Sequence, residues 1–402
     1  MSAVRIVYIL SLCTFASTWS KSSAISPTSP TISSPITTFS SPITTFSSPI
    51  TTFSSLATQT TLLPTPLSTT TFRTGANRGH LEFYKVVEWA WRRQERPFTK
   101  YERTAPEYPW KTYFDNHLKM GIRNFVLGYI DLARSRIQLG GGIYTRREWR
   151  KASAFKYLKR NVVAKGGRIL VDINYKASYE TAFNETAFTE AVAEFVREFP
   201  VDGFRIHAED AQTPWTKPIK FGSVKALLKA IRKLDMISAI WIKPSNWDDI
   251  FRRELGGLAD INFLSLDIRN DTDIPVFNTD LYAEEILENA TNAGMAPDKI
   301  VLSVPLAAHG SIPRLGSYGY SSAVLDYRAD PEGDGVARVF SIFPEEKNFY
   351  YFFSQKRGID KIHLAGDRGL HGISVEGDRR RKYTDLTPWF PRSLTHALAT
   401  NV

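Results

Sequence analysis

From about residue 80 onward, short apolar runs alternate with stretches whose apolar residues recur at helical spacing. The runs are Phe83–Trp89, Asn124–Ile130, Arg168–Ile173, Gly203–Ala208, Ile237–Ile242, Ile261–Leu266, Lys299–Val304 and Gly372–Val375. Most are too continuously apolar for a half-exposed sheet and read as strands buried on both faces. Between them, Glu185–Phe199 places Phe188, Val192, Phe195 and Phe199 on one helical stripe. Gly222–Leu234 does the same with Ala226, Leu227, Ala230 and Ile231, and Ser223 is available as a cap. Eight strands alternating with helices over roughly 320 residues predict an α/β fold, a (β/α)8 TIM-type barrel. A doubly wound open sheet would alternate in the same way.

The first 80 residues have a different character. Arg5 followed by the apolar run Ile6–Ala16 reads as a secretory signal, too short to span a bilayer, and is assigned to residues 1–23. Residues 24–76 are a Ser/Thr/Pro-rich linker. The heptad Ser-Pro-Ile-Thr-Thr-Phe-Ser recurs there in tandem at 34–40, 41–47 and 48–54. With no apolar periodicity, this segment is expected to be disordered, extended and mucin-like. Residues 77–402 form the globular domain. The sole cysteine, Cys13, lies inside the signal, so a mature chain would have no disulfide. The first 80 residues contribute four basic groups and no acid, and removing them from the net +10 leaves +6. That mild excess does not point to nucleic acid. A soluble, secreted, extracellular product without a further membrane span is expected.

The stretch with the most chemistry is Asp202-Gly203-Phe204-Arg205-Ile206-His207-Ala208-Glu209. Side chains alternate along a strand, so 205, 207 and 209 share a face. Glu209 comes last, at the end where barrel enzymes carry their chemistry. A cation below Glu209 favours its ionised form, which suits a charge-compensated interior better than a general acid.

This stretch resembles the D-G-x-D-x-D-x-E signature of the family 18 glycoside hydrolases, the chitinase family. Asp202, Gly203 and Glu209 match, while Arg205 and His207 replace the two middle aspartates. Gly294 to Pro305 is similar to the family's G-x-x-x-x-K-L-V-L-G-I-P segment, with Ser303 for a glycine. Ile261–Asp267 resembles the strand ending M-x-Y-D, with Asp267 retained and Leu266 in place of the tyrosine. Gly372–Asp378 corresponds to the last strand, G-V-M-I-W, with Glu376 in place of the tryptophan. The resemblance implies that Glu209 is the remnant general acid of a substrate-assisted mechanism, with Asp202 and Asp267 as its companion acids. It implies that His207 has lost the carboxylate that orients the N-acetyl group, Leu266 the hydrogen bond to it, and Glu376 the indole floor.

Sugar binding can outlast catalysis where aromatic faces remain. Trp89, Trp215 and Trp247 follow strand candidates and are the expected substrate-binding residues; Trp91 and Trp241 lie close to the same ends. Asn184, Asn270 and Asn289 begin Asn-x-Thr sequons and are N-glycosylation candidates. No metal or cofactor pattern occurs: the histidines lack paired spacing, and Gly140-Gly141-Gly142 lacks a phosphate-loop lysine. The expectation is a secreted chitinase-like protein that binds N-acetylated glycans such as chitin, or acts as an interaction protein, without catalysing hydrolysis. The alternatives are an active glycosidase and a structural or decoy surface protein with no sugar ligand.

Overall fold

The computed structural model describes residues 81–88, 93–94, 108–133, 135–138, 152–175, 183–207, 221–339, 348–377 and 384–402. The signal and linker assignments fall outside these residues.

Eight parallel strands close on themselves. They are β1 (Glu82–Glu88), β2 (Asn124–Ala133), β3 (Ile169–Tyr175), β4 (Gly203–His207), β5 (Ile237–Ile242), β6 (Ile261–Ser265), β7 (Ile300–Pro305) and β8 (Gly372–Glu376). Neighbours in sequence are neighbours in space, and β1 pairs with both β2 and β8. Closure removes both edges, which decides between the barrel and the open sheet that periodicity alone left possible.

Helices alternate with the strands: α1 (Trp110–Lys119), α2 (Ala152–Ala164), α3 (Glu185–Glu198), α4 (Phe221–Lys233), α5 (Trp247–Arg252), α6 (Asp280–Asn292), α7 (Gln355–Asp367) and α8 (Leu394–Asn401). Each strand therefore has two apolar faces. One set of side chains, including Phe204, Ile206, Leu264, Leu302 and Ile373, packs against the helices. The alternate set fills the lumen: Tyr84, Val86, Val126, Leu170, Ala239, Trp241, Ile261, Phe263 and Val301. The helix stripe expected for α3 is there, with Phe188, Val192 and Phe195 buried. Asn184 caps α3 through its side chain, which accepts the Ala187 amide at 3.0 Å.

Between β7 and α7 lies a feature the periodicity did not predict. A four-stranded antiparallel sheet has the order Ser317–Gly319, Ala307–Gly310, Asn348–Phe352, Val336–Val339, and a short helix, Tyr320–Leu325, follows its first strand. Strands of three to five residues carry too little period-two signal to stand out from a loop. Among the described residues no helix is long and apolar enough to cross a membrane.

Candidate functional site

The C-terminal ends of the strands carry the polar side chains of the lumen. Arg205 on β4 is fully buried and stands between two acids. Its Nε donates to Asp172 Oδ1 at 3.2 Å and its Nη2 to Asp172 Oδ2 at 2.9 Å, a bidentate pair reaching across to β3. Its Nη1 donates to Glu376 Oε1 on β8. The guanidinium also lies over the ring of Phe263, 4.9 Å from its centroid. One cation is thus held by acids from two other strands and an aromatic face from a third.

Glu376 is engaged on both oxygens, because Trp241 Nε1 donates to Oε2 at 2.5 Å. Burial pushes the Glu376 carboxyl above its ordinary range, and Asp172 adds to the rise; Arg205 and the Trp241 indole pull against it. Trp241 is covered in turn. The His207 ring stacks on it at 4.0 Å with an interplanar angle of 9°. Lys243 Nζ lies 5.6 Å from its ring centroid. Register explains the stack, since His207 and Trp241 are direct partners across β4 and β5.

Two glycines make the arrangement possible. A Cβ on Gly128 of β2 would stand 2.5 Å from Asp172 Cβ, so only glycine leaves Asp172 room beside Arg205. A Cβ on Gly203 would stand 2.2 Å from the Ile237 carbonyl oxygen, where β4 and β5 approach closely.

Asp267 follows β6 and meets the inserted sheet. His309 Nε2 donates to its Oδ1 at 2.7 Å, and His309 Nδ1 lies 3.0 Å from Ser317 Oγ. Burial by itself would raise the Asp267 carboxyl. The hydrogen bond and attraction of His309, with the Ile268 amide and Lys243, more than offset this and hold it below the usual carboxylate range. On the far side of the barrel, Asn174 Nδ2 on β3 donates to Asp131 Oδ1 on β2 at 3.1 Å.

The structure brings some predicted residues together and separates others. Arg205, His207 and Glu376 meet in the lumen, with Asp267 at its rim. Asp202, expected among the catalytic residues, stands before β4 at the opposite end of the barrel. There it accepts the Ile169 amide at 2.6 Å and Lys159 Nζ at 2.5 Å, tying β3 and α2 to the start of β4. Leu266, expected where a hydrogen-bonding tyrosine would face the site, is fully buried in the layer between strands and helices. Strand alternation is the reason: Ile261, Phe263 and Ser265 take the lumen side, so 266 takes the other. Trp247, expected to bind substrate, opens α5 and packs against that same outer layer. Glu209, Trp89 and Trp215 lie outside the described residues. Of the sequons, Asn184 and Asn270 are exposed at helix caps, whereas Asn289 sits within α6.

Sequence reasoning missed Asp172, Lys243, His309 and Ser317. Asp172 had a readable signal, a lone acid in the apolar run Ile-Leu-Val-Asp-Ile that demands a buried counter-charge. His309 had none, because its partner comes from another element.

No family model matches this chain, and no curated protein matches it. Solved structures do. The multi-modular, cell-surface-expressed chitinase ChiW of Paenibacillus sp. str. FPU-7 superposes with a TM-score of 0.55 at 14% identity, covering 80% of this chain and 43% of that one. This chain thus spans less than half of that enzyme. Chitinase ChiA74 of Bacillus thuringiensis gives 0.55 at 12% identity, covering 80% and 70%. The Group IV chitinase of Ostrinia furnacalis gives 0.54 at 13% identity, covering 79% and 98%. A structure of that enzyme in complex with allosamidin gives 0.52 at 14% identity, covering 79% and 97%.

Proposed function

From the chitinase-like fold of the family 18 glycoside hydrolases, which this chain has, we propose that it is a secreted, non-hydrolysing relative that binds N-acetylated glycans at the barrel mouth. The observation that carries the loss of catalysis is Arg205. A guanidinium held by Asp172 and Glu376 occupies the centre of the lumen. It ties up the Asp172 and Glu376 carboxylates, so their negative charge is not free to stabilise an oxocarbenium-like transition state.

The Trp241 indole supports the same reading. His207 covers one face and Glu376 takes its N–H, so it offers no floor to a sugar in the deepest position. Glycan binding therefore rests on the outer mouth. Support for an N-acetylated ligand comes from the fold and from the allosamidin complex of the Ostrinia furnacalis chitinase. Secretion rests on the signal-like start, and glycosylation on the exposed Asn184 and Asn270.

The test is incubation of the purified chain with chitin oligomers, with products read by mass spectrometry and binding by calorimetry. Binding without cleavage is expected. Each lost transition-state contact costs one to several kcal/mol, on the order of tenfold to a thousandfold in rate, without strict additivity. Turnover abolished by Glu209→Gln would overturn the reading in favour of an active glycosidase. Neither binding nor turnover would favour a structural or decoy protein.

A further inference from the structure

Asp267, His309 and Ser317 form one hydrogen-bonded chain where the inserted sheet meets the end of β6, and glycan binding gives that chain no task. The strands Ala307–Gly310 and Ser317–Gly319 pair antiparallel, with His309 and Ser317 directly opposite each other. The Gly310 amide donates to the Gly316 carbonyl at 2.9 Å, which makes 309 and 317 a close, non-hydrogen-bonded pair. Their side chains therefore lie side by side on one face of the sheet, and His309 Nδ1 is 3.0 Å from Ser317 Oγ.

The imidazole is held on its other sides. Its Nε2 donates to Asp267 Oδ1 at 2.7 Å, and the Phe277 ring meets it edge to face at 5.2 Å. Asp267 is pinned in turn. Its Oδ1 also accepts the Ile268 amide at 2.9 Å, its own amide donates to Ser265 Oγ at 3.2 Å, and its carbonyl accepts the Tyr282 hydroxyl at 2.8 Å. Because Nε2 spends its proton on Asp267, a neutral ring offers Nδ1 as an acceptor and the Ser317 hydroxyl is the donor. A hydroxyl on an imidazole that is oriented by a fixed carboxylate is the arrangement of nucleophile, base and orienting acid. The two ring nitrogens have exchanged places relative to the serine-protease arrangement, and the proton bookkeeping is the same.

Access follows the same order. His309 is buried, whereas Ser317 is only half-buried. Gly316, just before it, is exposed at φ +64°, and a Cβ there would meet nothing within 4 Å, so the approach is open. Ser317–Gly319 is an edge strand of its sheet. In a non-hydrogen-bonded pair the backbone amide points away from the partner strand, so at this edge the Ser317 N–H is left free beside its own Oγ.

The geometry points to Ser317 as the nucleophile of a second site, one that hydrolyses small carboxylic esters. Oγ attacks the acyl carbon while its proton passes to His309 Nδ1, and the carbonyl electron pair becomes an oxyanion within reach of the Ser317 N–H. The bond from the acyl carbon to the alcohol oxygen then breaks, and the alcohol leaves with the proton from Nδ1. Water attacks the acyl-serine by the same route, releasing the carboxylic acid and restoring Ser317. A lone backbone donor stabilises an oxyanion less than a pair of donors does. That selects esters over amides, because an alcohol leaves more readily than an amine. The reaction involves no glycan, so it stands or falls apart from the glycan-binding reading.

The probes are p-nitrophenyl acetate and a fluorophosphonate, each given to the whole chain. The fluorophosphonate is expected to modify Ser317, read by peptide mass spectrometry, and to stop release of nitrophenol from the acetate. Ser317→Ala and His309→Gln are each expected to slow that release about a hundredfold or more, the usual weight of a general base. Ser245→Ala, at an exposed serine outside the bonded chain, is expected to change nothing. Labelling is read on the unaltered protein, so a variant that fails to fold leaves the test intact. No adduct at Ser317, or undiminished hydrolysis by a folded Ser317→Ala, would overturn the site.

Discussion

Replacing Arg205 with methionine isolates the interaction on which the lumen is built. Methionine keeps most of the apolar stem, so the change removes charge and hydrogen bonds rather than volume. It leaves Asp172, whose side chain has no exposure, and Glu376, at 11%, without their shared cation. Breaking a buried pair in this way costs about 3–5 kcal/mol, because an uncompensated charge stays behind. Domains have about 5–15 kcal/mol of stability in all, so the variant should fold but be clearly weakened. With a urea slope of about 2–3 kcal/mol/M, the midpoint should fall by roughly 1–2 M. Urea unfolding followed by circular dichroism measures this directly.

The pH dependence is a second readout. Without Arg205, the Glu376 carboxyl, already raised by burial, loses the cation that pulls against that rise. A raised group stabilises the fold below its unfolded pKa and loses that contribution as pH rises through the folded one. The deficit of the variant should therefore be largest near neutrality and shrink as pH falls toward about 4. A variant within about 1 kcal/mol of wild type at pH 7, with no pH trend, would refute the ion-pair account of the lumen.

Other outcomes follow from buried groups elsewhere. His117 on α1 is fully buried, and its Nδ1 donates to the Tyr113 carbonyl at 2.7 Å. Burial, reinforced by the charge of Lys85, depresses it to about 3. Its neutral form is the folded one, so stability should fall by about 1.4 kcal/mol per unit as pH drops below about 6.5; His117→Phe should flatten that slope in urea melts taken from pH 7 to 4. Gly128→Ala would drive a methyl group into Asp172, and a cost of about 1–3 kcal/mol at the urea midpoint is expected, against almost none for alanine at the open Gly257.

The barrel was legible because its causes are local. Strands buried on both faces must be apolar throughout, and helices between them must carry one stripe, so each element announces itself along the chain. The β4 strand carries its own chemistry in order, so Arg205 and His207 stand out from the sequence alone. The roles of Asp202 and Leu266 could not be read that way. Which face a residue takes depends on where its strand begins, and a shift of one position turns a lumen residue into an outer-core residue. Leu266 falls on the wrong side of that parity, and Asp202 falls before its strand starts. Sequence alone also points to a charge-compensated interior around Arg205 and Glu209, but not to the acids that hold the arginine. Asp172 lies 33 residues before it and Glu376 171 residues after. Only closure of the barrel brings three strands around one guanidinium, because burial demands a counter-charge but does not say which distant acid supplies it.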